Sequence, residues 1–184
     1  MRLMVDGDYD GASVGAIARE AGLAQGLVHY HFDDKLDVLL VALEILRERW
    51  LEKIDLAVAH RRGEPARQLR AFLDLHLKPE HADRIARGCW MGISVLAMRD
   101  ARVRVAYESA LGDVVARLRA ILERGRARGV FECPNALAAA QALMTAVQGF
   151  FLVTTAAPSA LTRGAGAPAV RRMAAGLLGM RQPL

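Results

Sequence analysis

Three residues at fixed intervals carry the sharpest chemical signal in the chain: Ala18, Gly22 and Val28. Where two helices cross closely, the crossing point needs a small side chain. A glycine four residues later permits a sharp turn at positive φ, and an apolar residue six further on anchors the second helix to the first. Ala18-x3-Gly22-x5-Val28 meets these three demands, with Ile17 and Leu23 as expected additional core contacts. Such a pair could present its second helix to the edges of base pairs. The same residue types would also suit an ordinary helical hairpin inside a core.

Other chemistries find little support. His29 and His31 stand two apart on a helix and point away from each other, so they cannot share a metal ion. His76 and His81 straddle Pro79 with no carboxylate at ligand spacing beyond Asp74 and Glu80, a weak basis for a metal site. Cys89 and Cys133 form no CxxC pair and are expected to be buried or half-buried thiols rather than a disulfide. No glycine-rich phosphate loop, nucleophile elbow or paired Cys/His arrangement occurs. The expectation is a binding protein and not an enzyme, with no metal and no cofactor.

The elements that must position the three residues read as helices throughout, and the expected fold class is all-α. Leu, Ala and Val abound within a hydrophobic content of 53%, and the alternation of a half-buried strand is nearly absent. Ser13 is a natural N-cap for a helix carrying Val14, Ile17, Ala18 and Ala21, stopped by Gly22. A short second helix covers Gln25 to His31. Asp33 or Asp34 caps a long third helix with Leu36, Leu39, Leu40, Leu43, Leu46, Trp50, Ile54 and Val58 on one stripe. Pro65 suits the first turn of a helix that closes before Pro79. Further helices are expected over about 87–98 and 101–128, from Pro134 or Asn135 to about Thr155, and over 169–179, with a Gly/Pro/Ser-rich loop between Ala157 and Pro168. There is no internal repeat. The apolar stretches are interrupted before the roughly 18–20 residues that a membrane span needs, and no signal-peptide pattern opens the chain. A cytoplasmic location is expected.

The run from Ser13 to Lys35 closely resembles the helix-turn-helix of the TetR family of transcriptional regulators. Ile17-Ala18, Ala21-Gly22, Gly26, His31-Phe32 and Lys35 all fall on that family's pattern, while His29 stands where the family usually carries Tyr. The segment from Gly26 to Phe32 leans toward the subgroup of choline-sensing repressors. The resemblance implies a DNA-binding head at residues 1–35, the long helix 34–59 as a connector, and a helical ligand-binding and dimerising body at 60–184. Within the head, Ser13 would bond a phosphate at a helix N-terminus. Gln25, Gly26 and Leu27 would open the recognition helix, Gln25 suiting adenine and Leu27 a thymine methyl. His29, Tyr30 and Lys35 would reach phosphates, and Phe32 would plug the space between head and long helix. The family also has a full helix before the turn seen here as Gly7–Asp10. Only the stub Met1–Asp6 stands there, and the expectation is a start assigned late.

For the body, the resemblance implies an effector pocket and a dimer interface. Residues expected on inward, pocket-lining faces are Phe72, His76, Trp90, Met91, Val95, Met98, Tyr107, Met144, Gln148 and Phe151, though plain core packing would use the same types. No charged residue joins that face, so the expected effector is neutral or modestly polar. Ala139, Ala142, Ala146 and Gly149 would let the Ala-rich helix approach a partner subunit closely, with the last helix completing a four-helix bundle. The Arg run of Arg117, Arg119, Arg124, Arg126 and Arg128 reads as a solvated helix face.

Charge does not carry this reading. The net charge is +5, yet residues 1–60 hold six Lys/Arg against eleven Asp/Glu, and the remainder nineteen against nine. The basicity lies outside the expected DNA-binding part. Two functions remain open on the sequence. One is a homodimeric repressor released from a pseudo-palindromic operator by a small molecule. The other is a dimeric small-molecule-binding or interaction module without DNA recognition.

Overall fold

A computed structural model of the chain describes residues 13–61, 63–77, 84–162 and 164–180. Among these residues there are eight α-helices, one short 3-10 turn at Pro158–Ala160, and no strand. The helices are α1 (Val14–Glu20), α2 (Gln25–His31), α3 (Lys35–Ala59), α4 (Pro65–Leu77), α5 (Arg84–Ala97), α6 (Ala101–Ala127), α7 (Ala136–Ala156) and α8 (Gly166–Leu177). The all-α expectation holds. The stub Met1–Asp6, the turn Gly7–Asp10 and the expected missing helix lie outside the described residues, as do Pro79, Glu80 and His81. The chain divides into two compact units, residues 1–50 with 83–110, and residues 51–82 with 111–184.

In the first unit, local chemistry sets the start and stop of each short helix. The Ser13 side chain accepts a hydrogen bond from the Ala16 N–H at 3.1 Å, satisfying one orphan donor of α1. Gly22 sits at φ +68° just past the end of α1. The Leu23 N–H returns to the Ala18 carbonyl at 2.9 Å and the Gly22 N–H to that of Arg19 at 3.1 Å, closing the helix end around a glycine in the left-handed region. Ala18 and Val28 are buried, as the spacing requires, whereas Leu23 is 49% exposed and is not the core contact expected of it. At the head of α3, Asp34 is the cap. Its Oδ1 accepts from the N–H groups of Leu36 and Asp37 at 2.8 and 2.9 Å. Leu39 and Leu43 of α3 then pack with Ile93 and Ala97 of α5 and Val103 of α6, flanked by Leu36, Leu40, Trp90 and Tyr107.

The second unit is built on apolar burial. Ile54, Leu69, Phe72, Leu73, Leu77, Leu118, Ile121, Leu122, Leu143 and Leu178 are essentially inaccessible. Gln68 is its buried polar side chain, held by the Arg124 guanidinium at 3.2 Å and donating to the Val58 carbonyl at 3.4 Å. Gly125 is required by packing: a Cβ there would stand 2.0 Å from the Phe131 ring, which folds back over α6 after the turn at Gly129. Arg171 of α8 pairs with Asp74 of α4.

Two boundaries differ from expectation. Helix α5 starts at Arg84 and α8 at Gly166, each three residues earlier than the composition suggested. Pro168 lies within the first turn of α8, where a missing N–H costs nothing. The expectation that no segment reaches membrane length also needs amending. Helix α7 has 21 residues without a charge and is long and apolar enough to cross a bilayer by length and composition. It packs against α8 and α4, and buries Ala136, Ala139, Ala140, Leu143, Met144 and Val147, as a core helix does.

Candidate nucleic-acid interface and ligand-facing residues

Helix α2 presents an exposed face on a short, well-stopped pair of helices. Val28 is its buried residue. Gln25, Gly26, Leu27, His29 and Tyr30 are exposed, Leu27 at 49% and Tyr30 at 83%. For large apolar and aromatic groups on a seven-residue helix, that exposure is not explained by packing within the subunit. Nothing stands near a Cβ added at Gly26, so α2 is open there to close approach. Ser13 is exposed at the start of α1, Lys35 is half-buried in the first turn of α3, and Phe32 is half-buried between α2 and α3. The rings of Tyr30 and His31 meet edge to face with centroids 5.0 Å apart.

Two features of this face were missed by sequence reasoning. The Gln25 amide lies over α1: a Cβ on Gly15 would come within 2.9 Å of Gln25 Oε1, and Gln25 Nε2 is 3.4 Å from His29 Nε2. Gln25 is therefore held against Gly15 and His29. The signal was Gly15 itself, since a glycine inside a helix costs about 0.5–1 kcal/mol and usually marks a close approach. The second feature is Ala24, the N-cap residue of α2, which supplies no side-chain hydrogen bond to the helix.

The residues expected to meet a ligand fall in both units. In the first, Trp90 and Tyr107 lie with ring centroids 4.6 Å apart at 35°. Both are half-buried, and burial raises the Tyr107 hydroxyl above its usual range, opposed by a hydrogen bond from Trp90. Met91 is half-buried. Met98 is 73% exposed and Val95 43%, so neither lies on the inward face expected of it. In the second unit, Phe72 and Met144 are core residues, while His76, Gln148 and Phe151 are half-buried. The His76 ring stacks 4.4 Å from Phe72, and its Nδ1–H donates to the Phe72 carbonyl at 2.8 Å. Desolvation pushes the His76 imidazolium down to about 4, against the opposing effect of that carbonyl, so the ring is neutral at pH 7.

On α7 the four small residues separate. Ala142 and Gly149 are exposed and Ala146 is half-buried, but Ala139 is 6% exposed and packs inside its own subunit. Leu152 of α7 and Met173 and Leu177 of α8 are exposed apolar side chains. Among the described residues, no group of three or more His, Cys, Asp or Glu could hold a metal ion.

Comparison with known proteins agrees with this geometry. The family model described as "BetI-type transcriptional repressor, C-terminal" matches residues 65–179, and that of "Bacterial regulatory proteins, tetR family" matches residues 1–42. A search of curated proteins finds no match. Solved structures share the fold at low identity. A TetR transcription regulator from Haloarcula marismortui aligns at 21% identity and a TM-score of 0.81, covering 97% of this chain and 91% of that one. A transcriptional regulator from Pseudomonas aeruginosa aligns at 22% identity and 0.83, covering 96% and 85%. A regulator from Saccharomonospora viridis, in complex with choline, aligns at 20% identity and 0.80, covering 100% and 93%. With its body and its head both matched, the chain belongs to the TetR family of bacterial regulatory proteins, and its body is of the BetI type.

Proposed function

We propose that this chain is a homodimeric repressor whose α2 helices read a pseudo-palindromic operator and which a small-molecule effector releases from DNA. The observation that carries the reading is the exposed face of α2, held by a turn at Gly22 and presenting Leu27 and Tyr30 to solvent. In this reading Leu27, close to Gly26, meets a thymine methyl, and Gln25, swung off Gly15, pairs with adenine. Ser13, His29, Tyr30 and Lys35 contact phosphates and set register. The exposed Ala142, Gly149 and Leu152 of α7, with Met173 and Leu177 of α8, form the surface that meets the partner subunit. A two-fold dimer places two α2 helices at half-sites about 34–36 Å apart, as successive major grooves require.

Effector binding would favour a spacing of heads that no longer fits those grooves. Trp90 and Tyr107 are the effector contacts this reading favours, because a half-buried aromatic pair offers faces to a neutral apolar group or to a quaternary ammonium. The choline-bound neighbour makes choline the first compound to test. The test of the whole reading is a gel-shift assay with the intergenic DNA beside the protein's own gene. A specific shift is expected. With the full chain, no shift against competitor DNA removes the repressor reading and leaves a binding module without DNA recognition.

A further inference from the structure

Between α2 and α3 lies a charge cluster that the DNA-reading account leaves unused. Helix α2 ends where the Phe32 N–H reaches the Val28 carbonyl at 3.0 Å. The next two N–H groups, of Asp33 and Asp34, both donate to Asp37 Oδ2, at 3.1 and 3.4 Å. Asp34 Oδ1 in turn accepts from Leu36 and Asp37 N–H. Each carboxylate thus spends one oxygen on the main chain of the turn that carries α2. The remaining oxygens face one guanidinium: Arg102 Nη2 lies 3.1 Å from Asp34 Oδ2, and Nη1 lies 3.3 Å from Asp37 Oδ1. Arg102 is itself fixed, because Asp100 Oδ1 accepts from the N–H groups of Arg102 and Val103 at 2.8 and 3.2 Å. Val103 is buried against the α3 side chains Leu39 and Leu43.

We infer that Arg102 is a positioning residue for the DNA-reading helix, acting through Asp34 and Asp37 to fix the α2–α3 turn. The inference rests on the DNA-binding reading above. The planar fork of Arg spans two carboxylates at once, which a lysine ammonium does not reproduce. Exposed ion pairs contribute little to overall stability. Their leverage here is on orientation, since α2 is a seven-residue helix with Val28 as its buried residue.

The test uses the full chain and a duplex selected by the wild-type protein from a random-sequence pool, with affinity followed by fluorescence anisotropy. Arg102→Ala is expected to weaken binding about three- to ten-fold, as loss of two exposed pairs would. Asp34→Asn with Asp37→Asn keeps capping oxygens but removes both charges. It should weaken binding by a similar factor even though losing negative charge favours DNA. Combining all three changes should weaken binding no further, the mark of one interaction. Arg102→Lys should restore at most part of the affinity. The slope of affinity with salt should stay at the wild-type value, and thermal midpoints should move little.

Unchanged affinity in Arg102→Ala overturns the inference. So does a salt slope lowered by about one with tighter binding in the Asn variant, which marks a direct phosphate contact. If the wild-type chain enriches no duplex, the DNA-binding reading fails and the inference falls with it. If the wild type binds and only the variants behave otherwise, the inference alone fails.

Discussion

Apolar burial is unevenly shared between the two units, and least of it lies in α1 and α2. Of the twelve large side chains that are essentially inaccessible among the described residues, ten lie in the second unit; Leu43 and Ile93 lie in the first. In α1 and α2, burial comes down to Gly15, Ala18 and Val28. What shapes that region instead is a set of directional devices: the Ser13 cap, the positive-φ turn at Gly22, and the carboxylates of Asp34 and Asp37. The second unit is a packed apolar core, and α1 and α2 form a small scaffold that leaves one helix face exposed.

Large truncation in the core should give the largest effect. Phe72→Ala is expected to cost about 3–5 kcal/mol by urea unfolding, because the side chain is fully buried. Tyr30→Ala, on the open face of α2, should stay within about 0.5 kcal/mol of wild type. Equal losses at the two positions would erase the contrast.

A second test uses pH. The His76 value of about 4 in the folded chain lies below the ordinary 6.5, so the unfolded chain binds the proton more readily. Stability is complete above about pH 6.5 and is lost as pH falls toward 4, by about 2–3 kcal/mol for this group. His76→Gln should flatten that part of the profile in urea unfolding across pH. An unaltered profile would place the titration elsewhere.

In the head, Gly22→Ala must adopt φ +68° with a Cβ, at a cost of about 1–2 kcal/mol. Amide hydrogen exchange should show the loss in α1 and α2 and leave the second unit's core protected. Protection lost in both units together would mean that they unfold as one. The smallest effect is a gain. Ala24→Ser adds an N-cap to α2 and should slow exchange there by the equivalent of about 0.5–1 kcal/mol. Faster exchange would show that the hydroxyl does not reach the free N–H groups.

How much of this was legible follows the same division. The head could be read because its devices are local: Ser13, Gly22 and Asp34 act within a few residues of themselves, and Ala18 and Val28 are spaced by the helix period. The positions of α3, α4, α6 and α7 followed from apolar periodicity. What could not be read is what depends on distant neighbours. Gly125 shows no reason to be glycine until Phe131 folds over it. Arg102 meets Asp34 and Asp37 across more than sixty residues. Met98 and Ala139 carry apolar types at helical spacing, yet one faces solvent and the other its own core. Periodicity finds a stripe but not which of several neighbouring faces it turns toward.

The central claim is that α2 reads DNA sequence, and selection from a random duplex pool tests it most directly. The full-length wild-type chain should enrich a two-fold symmetric site. Leu27→Ala should relax preference at one position of each half-site, at a cost of about 1–3 kcal/mol for the preferred base. Tyr30→Ala should weaken binding to all sequences alike. An unchanged preference in Leu27→Ala, or no enrichment by the wild-type chain, would contradict the account.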